Sequence, residues 1–166
     1  KYEFIIAGDG EEKANLQEFA LDLGVKARFL GKVADIKTLY QKAKIICLCS
    51  FVEGLPTVLV ESLYFGVARI STDYTNSARD LIKDGKDGFI VPKDDAKAMS
   101  KKLALLMSDE NLRLKIAQNA AKRCKDFDTT RIVKKWLALI KEVRENAKFA
   151  PNLAQNASTN SAPKAK

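Results

Sequence analysis

Two carboxylates and a helix start stand close together in Ser50-Phe51-Val52-Glu53-Gly54-Leu55-Pro56-Thr57-Val58-Leu59-Val60-Glu61-Ser62. The apolar run Ile45-Ile46-Cys47-Leu48-Cys49 before it reads as a buried strand, and residues 56–65 read as a short helix stopped by Gly66. Pro56 suits the first helical turn, where a missing N–H costs nothing. The amides of Thr57 and Val58 are then free, and with the positive end of the helix dipole they suit a phosphate or diphosphate. Gly54 lets a ligand approach the backbone closely. Glu61 lies four residues beyond Thr57, on the same helix face, inside an otherwise apolar run. Two readings of Glu61 stand side by side: it accepts the vicinal hydroxyls of a ribose, or it simply reaches solvent. Glu53, in the turn, points at whatever hangs from the phosphate. A carboxylate there suits sugar hydroxyls or a cationic transition state.

Residue types exclude several other chemistries. The chain has no histidine, which removes Ser-His and Cys-His nucleophile pairs, histidine proton shuttles and most zinc sites. Cys47 and Cys49, two apart on one predicted strand, read as buried core thiols in preference to a metal pair. With Cys124 the cysteine count is odd, and with no secretory signal this points to the reducing cytosol. Gly8-Asp9-Gly10 resembles the start of a dinucleotide-binding turn, but a third glycine is missing and Glu11-Glu12 would repel a pyrophosphate. Gly8 and Gly10 are read as residues demanded by backbone conformation.

The elements that must position these groups alternate along the chain. A first strand is expected over 2–7, an amphipathic helix over 12–23 with Leu16, Phe19, Ala20 and Leu23 inward, and a second strand over 25–30 before Gly31-Lys32-Val33. A helix over 35–43 and the strand 44–49 lead into the central stretch. Beyond it come a strand over 67–71, a helix over 77–83 and, past Asp84-Gly85 and Asp87-Gly88, a strand over 88–91. Asp94 or Asp95 caps a helix reaching Met107, and Ser108-Asp109 caps another reaching Arg123. A last helix starts near Asp128 with Ile132, Val133, Trp136, Leu137, Ile140 and Val143 as its apolar stripe. Residues 148–166, rich in Ala, Asn, Ser, Pro and Lys, read as a flexible tail. The pattern is α/β: a Rossmann-like parallel sheet with helices on both faces, formed by residues 1–147 as one domain. Ligands of such sheets bind at the carboxyl ends of the strands, where Gly8-Asp9-Gly10, Gly31-Lys32 and Glu53 all fall.

The bulk numbers agree with a folded domain. The chain has 166 residues, 46% of them hydrophobic and 30% charged, enough for a real core. No apolar run approaches the roughly 18 residues of a membrane span. The sequence opens directly on a strand pattern without Met, so it reads as a piece of a longer protein. Its net charge of +8 comes from residues 110–166, with 13 basic and 5 acidic side chains, against 16 of each in residues 1–109. A basic half without aromatic interleaving is weak grounds for nucleic acid. It equally fits an anionic membrane surface, a phosphorylated substrate or a solvated face.

The spacing Glu53-(seven residues)-Glu61 resembles the E-x7-E motif of retaining GT-B glycosyltransferases of family 4, also called group 1. Other segments agree in order. Ile6-Ala7-Gly8-Asp9-Gly10 is similar to the family's G-x-G turn and Phe29-Leu30-Gly31 to its F-x-G. Ser50 through Ser62 matches S-x-x-E-G-x-P-x-x-x-x-E-(A/S) almost throughout, and Asp80 through Phe89 resembles E-x-I-x-D-G-x-N-G-x. Residues 49–59 and 61–65 look especially like members that add N-acetylgalactosamine to an undecaprenyl-diphosphate-linked oligosaccharide. The resemblance implies a donor-binding C-terminal half of a GT-B enzyme, a donor that is a nucleotide-sugar (UDP-linked by analogy), no metal, and an acceptor that is a glycan or lipid-linked glycan. It implies that Glu61 holds the ribose, the amides of Thr57 and Val58 the diphosphate, and Glu53, Gly54, Leu55 and Pro56 the sugar. Gly8 and the loop Gly31, Lys32 and Val33 would face the nucleotide, and Glu53 would be the catalytic carboxylate. It further implies a cytoplasmic protein, peripheral on the inner membrane face. The family's basic pair for the diphosphate and its acceptor-binding half are expected before residue 1, which would leave this fragment alone inactive. Two departures stand out: Gly66-Val67-Ala68 followed by Arg69 where Gly-x-Pro is usual, and Asp80 where Glu is usual. The alternative reading is a non-catalytic Rossmann-like nucleotide-binding module.

Overall fold

The computed structural model describes residues 2–148. Its order is β1 (Phe4–Ala7), α1 (Lys13–Asp22), β2 (Ala27–Gly31), α2 (Ile36–Lys42), β3 (Ile45–Leu48), α3 (Thr57–Tyr64), β4 (Ala68–Thr72), α4 (Asn76–Leu81), β5 (Phe89–Val91), α5 (Ala96–Ser108), α6 (Glu110–Ala121), a 3-10 turn (Cys124–Phe127) and α7 (Thr129–Lys148). Each strand pairing is parallel. Pairing runs in two sheets, β1–β2 and β3–β4–β5, where the alternation suggested one. The chain divides into two units, Lys1–Cys124 and the part from Lys125 onward. The tail expected over 148–166 lies, beyond Lys148, outside the described residues.

The helix boundaries follow their local chemistry. Asp35, Asp95 and Asp109 each cap a helix by accepting a backbone N–H three residues on, from Thr38, Ala98 and Leu112. α3 ends at Gly66, whose φ of 58° places it in the left-handed region. Its N–H bonds to Leu63 O while that of Val67 reaches Ser62 O, the paired closure of a Schellman motif.

β4 is the centre of the first unit, buried along its whole length. Side chains alternate across a strand. Ala68 and Ile70 join Phe89, Val91, Leu106, Ile116 and Ala117 in the core under α5 and α6. Arg69, between them, faces the other way, toward α3 and α4. It is fully buried and donates to the carbonyls of Leu59, Leu81 and Asp87 and to the Asp87 carboxylate at 2.8 Å. Arg123 reaches the same carboxylate at 3.3 Å, and Lys83 N–H donates to it at 3.0 Å. Burial lowers the affinity of Arg69 for its proton and the Asp87 charge opposes that effect. The departure at Arg69 is therefore more than a changed turn: it is the polar joint of the domain's centre.

Two expected apolar faces are not covered. Leu16, Phe19 and Leu23 of the α1 segment are exposed, because the two-stranded β1–β2 sheet offers little surface to bury them. In the second unit Val133, Trp136, Leu137, Ile140 and Val143 of α7 are likewise exposed, although their helical spacing is as expected. Cys49 falls beyond the end of β3 and is exposed, whereas Cys47 packs beside the core; both are free thiols. Burial, then the neighbouring Cys49, push the Cys47 thiol up to about 12. Among the described residues no helix is long and apolar enough to cross a membrane.

Candidate functional site

The turn from β3 into α3 is braced from two directions. Thr72 Oγ1, at the end of β4, donates to Ser50 O at 2.6 Å. Lys93 Nζ, beyond β5, donates to Phe51 O at 3.2 Å. Within the turn Ser50 Oγ donates to Glu53 Oε1 at 2.7 Å, so the half-buried carboxylate has a fixed direction. Gly54 and Leu55 are exposed at its tip. A Cβ built at Gly54 meets nothing within 4 Å, and its φ is not positive. Space for an incoming ligand, rather than backbone geometry, is what glycine supplies there.

Pro56 stands one position earlier than expected, as the N-cap of α3 with φ −69° and ψ 107°. Its carbonyl accepts Leu59 N–H at 3.1 Å. The N–H groups of Thr57 and Val58 precede the first intrahelical bond, and no side chain caps them. Thr57 is exposed and Val58 half-buried. Two donors and the positive end of the dipole thus lie one residue beyond the turn that carries Glu53.

Glu61 is half-buried and faces Tyr40 of α2, a contact that sequence reasoning missed. Tyr40 is buried, stacks on Phe65 with centroids 5.2 Å apart, and its hydroxyl lies 3.5 Å from Val58 O. Burial first, then the hydrogen bond and charge of Glu61, raise the Tyr40 phenol far above its usual range. It therefore stays protonated and a donor. Glu61 is neither sealed in the core nor a free surface carboxylate; it is held on one side and open on the other.

The first two strands build a second wall. Gly8 and Gly31 adopt φ 144° and 64°, and Gly8 N–H donates to Gly31 O at 2.9 Å. The positive φ explains both glycines. It does not explain Gly10, whose φ is not positive and whose missing Cβ faces open space; the conformational reading of that residue is corrected. Ala7, Gly8, Asp9, Lys32, Val33 and Ile36 line one cleft of about 370 Å³. α2 links it to the carboxylate pair, because Ile36 lines the cleft and Tyr40, one turn on, meets α3. The structure thus gathers Gly8, Lys32 and Val33 at one strand edge and Glu53, Thr57, Val58 and Glu61 at another, with α2 between them. Two further groups had no sequence signal beyond being polar in apolar surroundings. One is the Arg69–Asp87–Arg123 joint. The other is Tyr74, buried after β4 with its hydroxyl donating to no acceptor.

Parallel strands that deliver loops and an uncapped helix start to one edge, beside two carboxylates, define a Rossmann-like domain whose strand edge has the donors and acceptors to take a phosphorylated, hydroxyl-rich ligand. Comparison with known proteins makes this specific. Residues 1–123 match the model of the family "Glycosyl transferases group 1", and the chain belongs to that family. It is 55% identical over 143 residues to a Campylobacter jejuni enzyme, GalNAc-alpha-(1->4)-GalNAc-alpha-(1->3)-diNAcBac-PP-undecaprenol alpha-1,4-N-acetyl-D-galactosaminyltransferase; the match covers 86% of this chain and 40% of that protein. It is 30% identical over 146 residues to the N,N'-diacetylbacillosaminyl-diphospho-undecaprenol alpha-1,3-N-acetylgalactosaminyltransferase of the same organism, covering 88% of this chain and 39% of that one. The chain therefore spans about 40% of the length of these two relatives. In fold it is similar to Anabaena HepE, solved in complex with UDP, with a TM-score of 0.77, 22% identity, and 84% of this chain and 41% of that one covered. The fold is that of the GT-B glycosyltransferases.

Proposed function

We propose that the chain is the donor-binding part of a retaining glycosyltransferase that moves an N-acetylhexosamine from a UDP-sugar to a lipid-linked glycan. The observation that supports it most is the β3–α3 turn. There Glu53, oriented by Ser50, precedes two uncapped amides, and Glu61 follows one helical turn later beside Tyr40. A nucleoside diphosphate sugar has its parts in that order. Glu61 accepts the ribose hydroxyls, the amides of Thr57 and Val58 and the helix dipole hold the diphosphate, and Glu53 faces the sugar with the backbone of Gly54, Leu55 and Pro56. The cleft of Gly8, Lys32 and Val33 takes the base, with Gly31 holding its shape.

The chemistry follows from charge. When the bond from the anomeric carbon to the diphosphate breaks, negative charge grows on the phosphate and positive charge on the ring. Preorganised N–H dipoles stabilise the first and the Glu53 carboxylate the second. The acceptor hydroxyl enters on the face the diphosphate leaves and passes its proton to the departing phosphate oxygen, which retains configuration; Glu53 orients and stabilises without forming a covalent bond. No metal is required in this scheme, because helix amides and basic side chains carry that role. On this reading the enzyme works peripherally at the cytoplasmic face of a membrane, and its lipid-linked acceptor is held by parts of the protein outside this chain. The chain alone is expected to bind donor and transfer nothing.

A thermal-shift titration tests the reading. UDP and UDP-N-acetylgalactosamine should raise the melting temperature of this chain with saturable dependence on concentration, and NAD should not. Stabilisation by NAD with none by UDP would overturn it.

A further inference from the structure

Tyr74 lies in the loop that follows β4, and the structure fixes that loop tightly. Asp73 N–H donates to Val91 O at 2.8 Å, and the Asp73 carboxylate takes Arg79. Tyr74 itself is only 3% exposed, yet its hydroxyl donates to no acceptor. The nearby Ser77 hydroxyl is engaged with Thr75 Oγ1 at 2.6 Å. A buried hydroxyl without an acceptor is disfavoured and rare in native structures, and this one occurs beside the site. Thr72, two residues earlier, bonds the carbonyl of Ser50, and Ser50 Oγ bonds Glu53. Burial first raises the Tyr74 phenol, a hydrogen bond from Ser77 to the phenol oxygen opposes it, and the charge of Glu53 raises it further. The phenol therefore remains protonated and a donor. Glu53 Oε1 is taken by Ser50, which leaves Oε2 for a second donor.

We propose that Tyr74 is a positioning residue for Glu53: when the donor sugar enters, its hydroxyl donates to Oε2 and fixes the carboxylate against the sugar. This rests on the donor-site reading above. Two neutral donors from different elements, Ser50 in the turn and Tyr74 after β4, then hold one carboxylate in one plane. Glu53 keeps its acceptor lone pairs for sugar hydroxyls because its anchors approach from the protein side. The nucleotide half of the site is built on α3 and the β1–β2 cleft, which Tyr74 does not line, so the effect expected of Tyr74 is on the sugar.

The test is titration calorimetry of the chain and of Tyr74→Phe with UDP and with UDP-N-acetylgalactosamine, together with their melting temperatures in the absence of ligand. Tyr74→Phe keeps the ring and removes only that hydroxyl. The expected result is an unliganded melting temperature at or above that of the parent and an unchanged affinity for UDP. The affinity for the UDP-sugar relative to UDP should fall about tenfold, as loss of a hydrogen bond to a charged group would produce. An unchanged ratio overturns the proposal while leaving the donor site intact. A fall in stability with parallel loss of both affinities also overturns it, since that marks a purely structural tyrosine. A parent chain that binds neither ligand overturns the donor-site reading and this proposal with it.

Discussion

Asp87→Ala should be the most damaging single change in the domain, although it touches no ligand. The carboxylate meets Arg69, whose side chain is 0% exposed, and Arg123, 16% exposed, at 2.8 and 3.3 Å. Removing one partner of a buried pair leaves an uncompensated charge and costs about 3–5 kcal/mol. The Lys83 N–H would lose its acceptor too, adding about 1 kcal/mol. Against this, Arg69 keeps the carbonyls of Leu59, Leu81 and Asp87, and Arg123 keeps those of Leu81 and Asp80, so the lower part of the range applies. At roughly 2–4 °C per kcal/mol for a chain of this size, the melting temperature should fall by about 6–16 °C. Thermal unfolding followed by circular dichroism measures it. Asp87→Asn, which retains an acceptor for Lys83 and Arg69, should lose about half as much. The double change Arg69→Met with Asp87→Leu should recover most of the loss, because apolar replacement of a buried pair is often neutral. A loss below about 1 kcal/mol for Asp87→Ala, or a double variant worse than either single one, would refute the account of Arg69 as the joint of the core.

Other outcomes follow from the same coordinates. Gly31→Ala should destabilise by about 1–2 kcal/mol, the usual cost of a left-handed conformation with a Cβ. Its φ is 64° and the new methyl would lie 3.1 Å from Lys13 Nζ. Gly10→Ala should change urea stability by less than about 0.5 kcal/mol, since nothing crowds it. Alkylation with iodoacetamide at pH 8, read by mass spectrometry, should label the exposed Cys49 well before Cys47, whose thiol titrates near 12. Because that value lies above the reference thiol value of 9.0, the folded chain holds this proton longer than the unfolded chain. Its contribution to stability is full below pH 9 and is lost as pH rises toward 12. Cys47→Ala should flatten that part of the alkaline stability curve. The Asp35 carboxyl is held below its usual range by its hydrogen bonds to Thr38. Its contribution is present above pH 3.8 and is lost as pH falls through the lower folded value, so Asp35→Asn should lessen the acid sensitivity of α2.

Much of this arrangement was legible in the residues, for identifiable reasons. Alternating apolar strands and capped helices announce themselves through local chemistry, as at Asp95, Asp109 and Gly66. The strand-end placement of Glu53 and Gly31 followed from parallel topology alone. What escaped were properties of distant partners. Arg69 stood out only as the residue after the departure at Gly66-Val67-Ala68, because its acceptors lie at Leu59, Leu81 and Asp87, far along the chain. Nothing local in the sequence reveals that the buried Tyr40 stands beside Glu61. The apolar spacing of α1 and α7 correctly announced helices but could not say whether a surface covers them. Gly10 shows the converse error, a glycine in a turn that the turn does not require.

The central claim is that Glu61 holds a ribose, and a double comparison tests it most directly. Titration calorimetry of the parent and of Glu61→Ala with UDP and with 2′,3′-dideoxyuridine diphosphate separates the carboxylate–hydroxyl interaction from general effects of either change. Hydrogen bonds to a charged group contribute about 1.5–3 kcal/mol each. Glu61→Ala should therefore weaken UDP at least about tenfold and leave the dideoxy nucleotide almost unaffected. Equal losses for the two nucleotides, or none for either, would contradict the account.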